Sequence, residues 1–474
     1  MSNLGGPTTR TTVWWVRRDF RLHDNPALRA AIDAGDTVLP LVVLDPALLA
    51  TAGPVRTEWL HASIAALDAD LRAAGGPGLS VRRGTPAQLV AQTAADVGAA
   101  SVHISADFGP YGRRRDQRVS RACADRDVEL VATGSPYAIA PGTLTNGSGT
   151  AYKVFTPFHR VWQSHGVHDP APAVRAAAVD WLEAPQRLNL SHELGARGRE
   201  LAAEAGETAA LRHWHRYLTD DEAGADDYAR HHDIPGVDGT SRLSIALRWG
   251  QIHPRTVLRD LAGRSTAGAA ALARQIAWRD FFADALFQQP SAVRDPIRPE
   301  FARMPAEDPA TSPDAERGLR AWQQGRTGFP MVDAGMRQLL AEGWMHNRVR
   351  MLVASFLVKD LHLGWWHGAD WFMARLRDGD IAQNQLNWQW VAGCGLDAAP
   401  YFRIFNPVSQ GEKFDADGAY VRRWVPELAD VDATFVQTPW DDPLGLPTGY
   451  PARIVDHAAE RKEALDRYAI VKGR

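Results

Sequence analysis

Cysteine is nearly missing from this chain: its 474 residues contain two, Cys123 and Cys394. Two thiols so far apart exclude a disulfide framework and fit a reducing compartment, so a cytoplasmic protein is expected. An excess of charge is missing too. The 53 basic and 56 acidic residues leave a formal net charge of -3, so any nucleic-acid binding must come from a local basic patch. No apolar run approaches the about 20 residues of a membrane span, and the N-terminal MSNLGGPTTR has no apolar signal core. Cysteines and histidines fall at no zinc spacing, so no metal is expected. Neither G-x-G-x-x-G nor G-x-x-x-x-G-K-[ST] follows the strand-like runs of the first third, which removes the two usual phosphate fingerprints.

What the chain does have is tryptophan. There are 17, ten of them between Trp278 and Trp440 with both ends counted. Packing is the first use of such residues, and ring stacking or electron transfer is the second.

Residues 1–135 alternate between strand and helix. TVWWVRRDF, TVLPLVVLD, LSVRRG, SVHISAD and VELVATG read as strands, with alanine-rich helical stretches between them. Asn25 and Pro26 make a cap and first-turn pair for the first helix. This alternation predicts an α/β, doubly wound parallel-sheet domain. Residues 136–205, rich in Pro, Gly and Ala, read as a connector lying over the surface. Residues 206–474 carry repeated 3.6-period stripes and read as an all-helical domain.

Three segments of the helical part draw attention. In ARQIAWRDFF, helical spacing puts Gln275, Trp278, Arg279 and Phe282 on one stripe, a combination suited to stacking a flat ring and hydrogen-bonding its edge. In DGTSRLSIALRWGQIHP, Thr240, Ser241 and Ser244 precede a helical run, where hydroxyls most often serve as plain caps and less often as ligands for phosphate oxygens. In the third, Arg350 and Asp378 are a candidate ion pair, and Asp380 and Asn384 stand close in sequence to Trp388 and Trp390.

Taken together, TSRLS, WRDFF, GWMHNRVRM, VASFLVKDL, DGDIAQN, NWQW and DAAPYFRIFNPVSQGEKFD resemble the DNA photolyase and cryptochrome family. The resemblance runs from WVRRDFRLHDNPAL to YVRRWVPEL and looks nearest to the bacterial class I cyclobutane pyrimidine dimer photolyases. It implies FAD in the helical domain and UV-damaged DNA as partner, with no protein partner and a monomer. Tyr228, Thr240, Ser241, Arg242, Leu243 and Ser244 would hold the phosphates and ribitol, and Arg279 and Asp280 would line the flavin side. Arg350 and Asp378 would pair beside the flavin ring, followed by Gly379, with Asp380 near its uracil-like edge and Asn384 facing its reactive nitrogen. Trp278 and Trp390 would grip a dimer flipped out of the duplex. Asn347, Arg348 and Met351 would form the pocket floor, Gln410 would touch the strand, and Arg403 is a candidate phosphate contact. Trp388 and Trp365 would be the inner members of a three-tryptophan electron chain. WMHNR lacks the histidine-rich pattern of 6-4 photolyases.

Four positions depart from the family pattern. Gln275 replaces a glutamate, which predicts a slower enzyme, because an amide donates a hydrogen bond but supplies no proton. His232 replaces a DNA-binding arginine and lacks its bidentate fork. Ala306 stands where the outermost tryptophan of the chain is expected, leaving Trp366, Trp371 or Trp322 as substitutes. Leu386 and Asn387 replace small glycines beneath the flavin. Asp107 and Arg56 lie where relatives hold a deazaflavin or methenyltetrahydrofolate antenna, although both also suit an ordinary charged loop. Gln275, His232 and Ala306 favour a cryptochrome-like light sensor as the alternative. The short chain after the helical domain, and Asn384, Met351, Trp278 and Trp390, favour repair.

Overall fold

The structure, a computed structural model, describes residues 9–397 and 402–473. The five strand-like runs form β1 (Thr11–Trp15), β2 (Thr37–Leu44), β3 (Ser80–Arg83), β4 (Ala99–Ile104) and β5 (Glu129–Ala132). They pair in parallel in the order β3-β2-β1-β4-β5. Helices cover both faces of the sheet, which is why the central strands β1 and β2 are buried almost throughout instead of alternating, whereas β3 and β5 carry Arg82, Arg83 and Glu129. Trp14, Val38 and Val42 enter one core, and Val13, Trp15, Leu39 and Leu41 the other. The first helix, Pro26–Ala34, starts as its sequence predicts, with the Asn25 side chain accepting the Leu28 N–H. Strand order reverses between β1 and β4, and crevices of such sheets open at the strands' C-terminal ends there.

The connector differs from expectation. Rather than lying over the surface, its first half is core: Tyr137, Ile139, Phe155, Phe158 and Trp162 are buried with Ile276 and Phe281 of the helical part. Its second half adds β6 (Asp180–Trp181), which pairs in parallel with β2, and Leu194 and Leu201 then pack into a sheet core. The Phe155–His165 helix buries Phe155, Phe158 and Trp162 at i, i+3 and i+7. Proline and glycine on either side conceal that stripe in the sequence.

The remainder is helical. The Ala267–Gln288, Asn347–Lys359, Trp365–Arg375 and Ile381–Ala392 helices carry most of the singled-out residues. Among the described residues, no helix is long and apolar enough to cross a membrane. The helical part touches the sheet part closely at Gly53, where the long Pro46–Ala73 helix kinks at a left-handed φ of 70°. A Cβ on Gly53 would lie 2.3 Å from the Ala374 carbonyl oxygen.

Candidate active site

The Ile381–Ala392 helix begins at Asp380, whose Oδ1 accepts the N–H groups of Ala382 (3.0 Å) and Gln383 (3.3 Å). Its other oxygen pairs with Arg18, 362 residues away in the loop after β1. Burial pushes this carboxyl up, but Arg18, Arg248 and Arg279 outweigh burial and hold it well below the usual carboxylate range. Two residues earlier, Asp378 takes the guanidinium of Arg350 in a forked pair, at 2.8 Å and 3.3 Å, as expected from the sequence. Arg350 is steadied from behind by the Met345 carbonyl at 2.8 Å. Asn384, one turn into the helix, is buried and spends its amide N–H groups on Ala369 O (3.0 Å) and Gln385 Oε1 (2.7 Å). Among the described residues, its Oδ1 is the free end, an acceptor.

The hydroxyl segment lies on the far side of these groups in sequence. Ser241 is buried, and its carbonyl accepts the His213 Nε2–H at 2.7 Å. Leu243 is buried, Thr240 half-buried, and Ser244 exposed at the start of the Ser244–Trp249 helix. Arg242 adopts a left-handed φ of 45°. Its guanidinium stacks 4.4 Å over Trp344 and pairs with Asp238 and Glu342, so its charge is already committed. Arg279 is likewise committed, donating to the Pro136 and Leu247 carbonyls (2.8 and 3.2 Å) and lying over Tyr137. Asp280 accepts Trp162 Nε1–H and the Ala138 and Ile139 N–H groups, and burial pushes its carboxyl up to about 6. Phe282 is core, tilted against Trp278 at 5.4 Å. These three residues therefore brace the site from the connector side. Leu386 is buried among the same core residues, and Asn387 is exposed with its amide on Gln383 O at 2.7 Å.

A second group faces outward. The expected stripe on the Ala267–Gln288 helix runs from exposed Gln275 through half-buried Trp278 to buried Arg279 and Phe282. Trp278 stacks flat on Phe155, with centroids 3.7 Å apart and planes 7° apart. Trp390 donates its indole N–H to the Asp397 carbonyl at 3.1 Å, and the Asp397 carboxylate accepts the Phe155 N–H at 3.2 Å. One residue thus ties both tryptophans together. Asp397 has a left-handed φ of 49°, and burial pushes its carboxyl up. Phe155 and Asp397 escaped sequence reasoning. Asp397 stood inside the quoted DAAPYF motif, whose residues 398–401 lie outside the described residues, and Phe155 inside the supposed connector.

Around these walls, Asn347 is exposed at a helix start, and Met351, Tyr228 and Gln410 are half-buried. Arg348 forks onto Asp233 (2.8 Å) and lies over Phe414. His232 bonds its Nδ1 to Tyr228 O at 2.8 Å, stacks near the Tyr228 ring and sits 3.7 Å from Asp233. Asp233 therefore offsets the basic groups expected to meet DNA. Arg403 is exposed.

Toward the opposite side, Trp388 and Trp365 are buried (3% and 5% exposed), and a Cβ on Gly368 would strike the Trp388 ring. Ala306 is exposed, in a loop held against the approach to Trp365 by the Glu307 N–H to His362 O bond (2.8 Å). At the strand-switch point, Arg17 and Arg18 after β1 meet Asp107 after β4. Burial raises the Asp107 carboxyl, but Arg115, Arg18 and Arg17 outweigh it and lower it overall. Arg56 and Arg248 close this cluster beside Gly379, and burial lowers them to about 10 and about 9.

Residues 12–176 match the family described as DNA photolyase, and residues 272–470 match the FAD binding domain of DNA photolyase. A deoxyribodipyrimidine photo-lyase of Streptomyces griseus is 43% identical over 94% of this chain and 96% of its own. A solved bacterial class III photolyase from Agrobacterium tumefaciens superposes with a TM-score of 0.90 at 35% identity, covering 100% of both chains. An archaeal photolyase from Sulfolobus tokodaii, described with two FAD molecules and a novel light-harvesting cofactor, gives a TM-score of 0.85 at 28% identity, covering 97% of this chain and 100% of that one.

Proposed function

The chain belongs to the DNA photolyase family, and from that premise we propose how its residues divide the work of repair. Its reaction is the light-dependent splitting of cyclobutane pyrimidine dimers in UV-damaged DNA, with FAD as cofactor. FAD supplies the light absorption and the electron that opens the dimer. The donor set fits that group: hydroxyls of Thr240, Ser241 and Ser244 suit its phosphates, and a free amide oxygen on Asn384 suits a protonated ring nitrogen. Arg350 and Asp378, already bonded to each other, orient the ring edge without adding net charge. Asp380, held ionised by its arginine neighbours, would accept a ring N–H.

Trp278 and Trp390 grip the flipped dimer, with Asn347, Met351 and Gln275 at its polar edges and Arg348, His232 and Gln410 toward the strand. The braced pair of indoles joined through Asp397 is the observation that carries this reading, because it is a rigid, half-open aromatic seat. Trp388 and Trp365 would lie on the path by which electrons reach bound FAD. The arginine cluster at the strand-switch point, with Asp107, takes an anionic antenna of the deazaflavin or methenyltetrahydrofolate class. The protein works as a monomer in the cytoplasm, on the nucleoid.

The test starts from protein whose flavin has been reduced chemically in the dark. Under near-ultraviolet or blue light, a thymine-dimer oligonucleotide should regain its thymine absorbance. If FAD is bound and neither this substrate nor a 6-4 lesion changes, the cryptochrome-like sensor replaces the repair reading.

A further inference from the structure

The loop that carries Ala306 runs beside the segment leading into the Trp365–Arg375 helix: Glu307 bonds to His362 and bridges Leu363. Trp366 is on that same segment. Its indole folds back over Gly364, where a Cβ would lie 2.2 Å from the ring, and 46% of the residue meets solvent. Its ring centroid is 6.2 Å from that of Trp365, at 76°. We propose that Trp366 is the surface terminus of the electron relay, filling the role that Ala306 leaves open. This rests on the reading of Trp388 and Trp365 as the inner relay.

The other two candidates are poorer exits. Trp322 lies 6.2 Å from Trp388 but is fully buried with its N–H on Val353 O, so a hole there has no outlet. Trp371 carries the Arg375 guanidinium 4.5 Å over its ring, and a fixed cation opposes a second positive charge on that ring. Trp366 instead neighbours the His367 ring at 5.8 Å, with the carboxylates of Asp308 and Asp370 near that imidazole.

For each productive photon, Trp388 would give one electron inward to oxidised FAD. Trp365 refills Trp388, Trp366 refills Trp365, and a dissolved thiolate refills Trp366. Two thiyl radicals formed in this way couple to a disulfide, and the thiol protons go to solvent.

The experiment uses the holoenzyme with oxidised FAD, illuminated with and without dithiothreitol. Trp366→Phe should slow thiol-dependent photoreduction at least tenfold, whereas Trp371→Phe should match the parent. In the unmutated protein illuminated in air without thiol, peptide mass spectrometry should find hydroxylated or kynurenine products at Trp366 first. Unchanged photoreduction in Trp366→Phe, or oxidation marks concentrated at Trp371, would overturn the proposal. Full photoreduction in Trp388→Phe would instead reject the inner relay on which it rests.

Discussion

Two groups of tryptophans share three helices and are held in opposite ways. Trp278 and Trp390 are half-buried and clamped, one by a flat stack on Phe155 and the other by a hydrogen bond to Asp397. Trp388, Trp365 and Trp366 form a graded series, 3%, 5% and 46% exposed, that runs from core to solvent. In the roles proposed above, the same side chain is a jaw in the first group and a stepping stone in the second. A jaw needs a fixed plane and one open face, whereas a stepping stone needs a neighbouring ring on each side.

The contrast can be broken most severely at its inner end. Trp388→Phe should abolish light-driven photoreduction, read from flavin absorbance, while dark binding of dimer DNA stays at the parent value. Trp278→Ala should do the reverse. Losing a stacking surface of about 1–3 kcal/mol per base should weaken dimer binding by roughly 5–150-fold in a dark titration, with photoreduction intact. A smaller effect belongs to the brace. Phe155→Ala removes an aromatic pair of about 0.5–1.5 kcal/mol. Asp397→Ala removes the carboxylate that holds the Phe155 N–H while leaving the backbone carbonyl that holds Trp390, so it loosens the Trp278 wall. Each should lower the preference for dimer over undamaged oligonucleotide by about two- to tenfold, and Asp397→Asn should recover most of it. If Asp397→Ala lowers affinity for both DNAs equally, the brace idea fails. Gln275→Glu should raise the quantum yield of repair modestly, by up to about tenfold, for a hydrogen-bond gain of about 0.5–1.5 kcal/mol. No gain would mean the amide already serves.

Acid should test the join between the two parts. The Asp380 carboxyl is held below its ordinary value in the folded protein, so its pairing stabilises fully above about pH 4, the unfolded value. That contribution drains away as pH falls through the lowered folded value. Urea unfolding across this window should show an acid limb that Asp380→Asn flattens.

Much of this was legible in the sequence, for local reasons. The strands announced themselves as apolar runs, and Arg350 with Asp378 as opposite charges beside motif residues. Gln275, Trp278, Arg279 and Phe282 do share one stripe, but neighbours far along the chain decide what each does. Arg279 is taken by carbonyls of Pro136 and Leu247, and Arg242 by Trp344 and Glu342. Arg18 was illegible for the same reason, since its partner lies 362 residues away. The connector was misread because flanking proline and glycine masked a three-aromatic stripe that packs into the core.

Gly53 carries a consequence for anyone who would recombine relatives. At a φ of 70° it lets the sheet domain's longest helix come within a side chain's width of the Ala374 carbonyl, at the end of the helix that begins with Trp365 and Trp366. A chimaera that imports a foreign sheet domain without a glycine there would push on that helix from behind. Such a graft would displace the helix that carries the proposed relay rings even where the sheet itself folds unchanged, so this one position marks where the sheet part and the helical part stop being interchangeable.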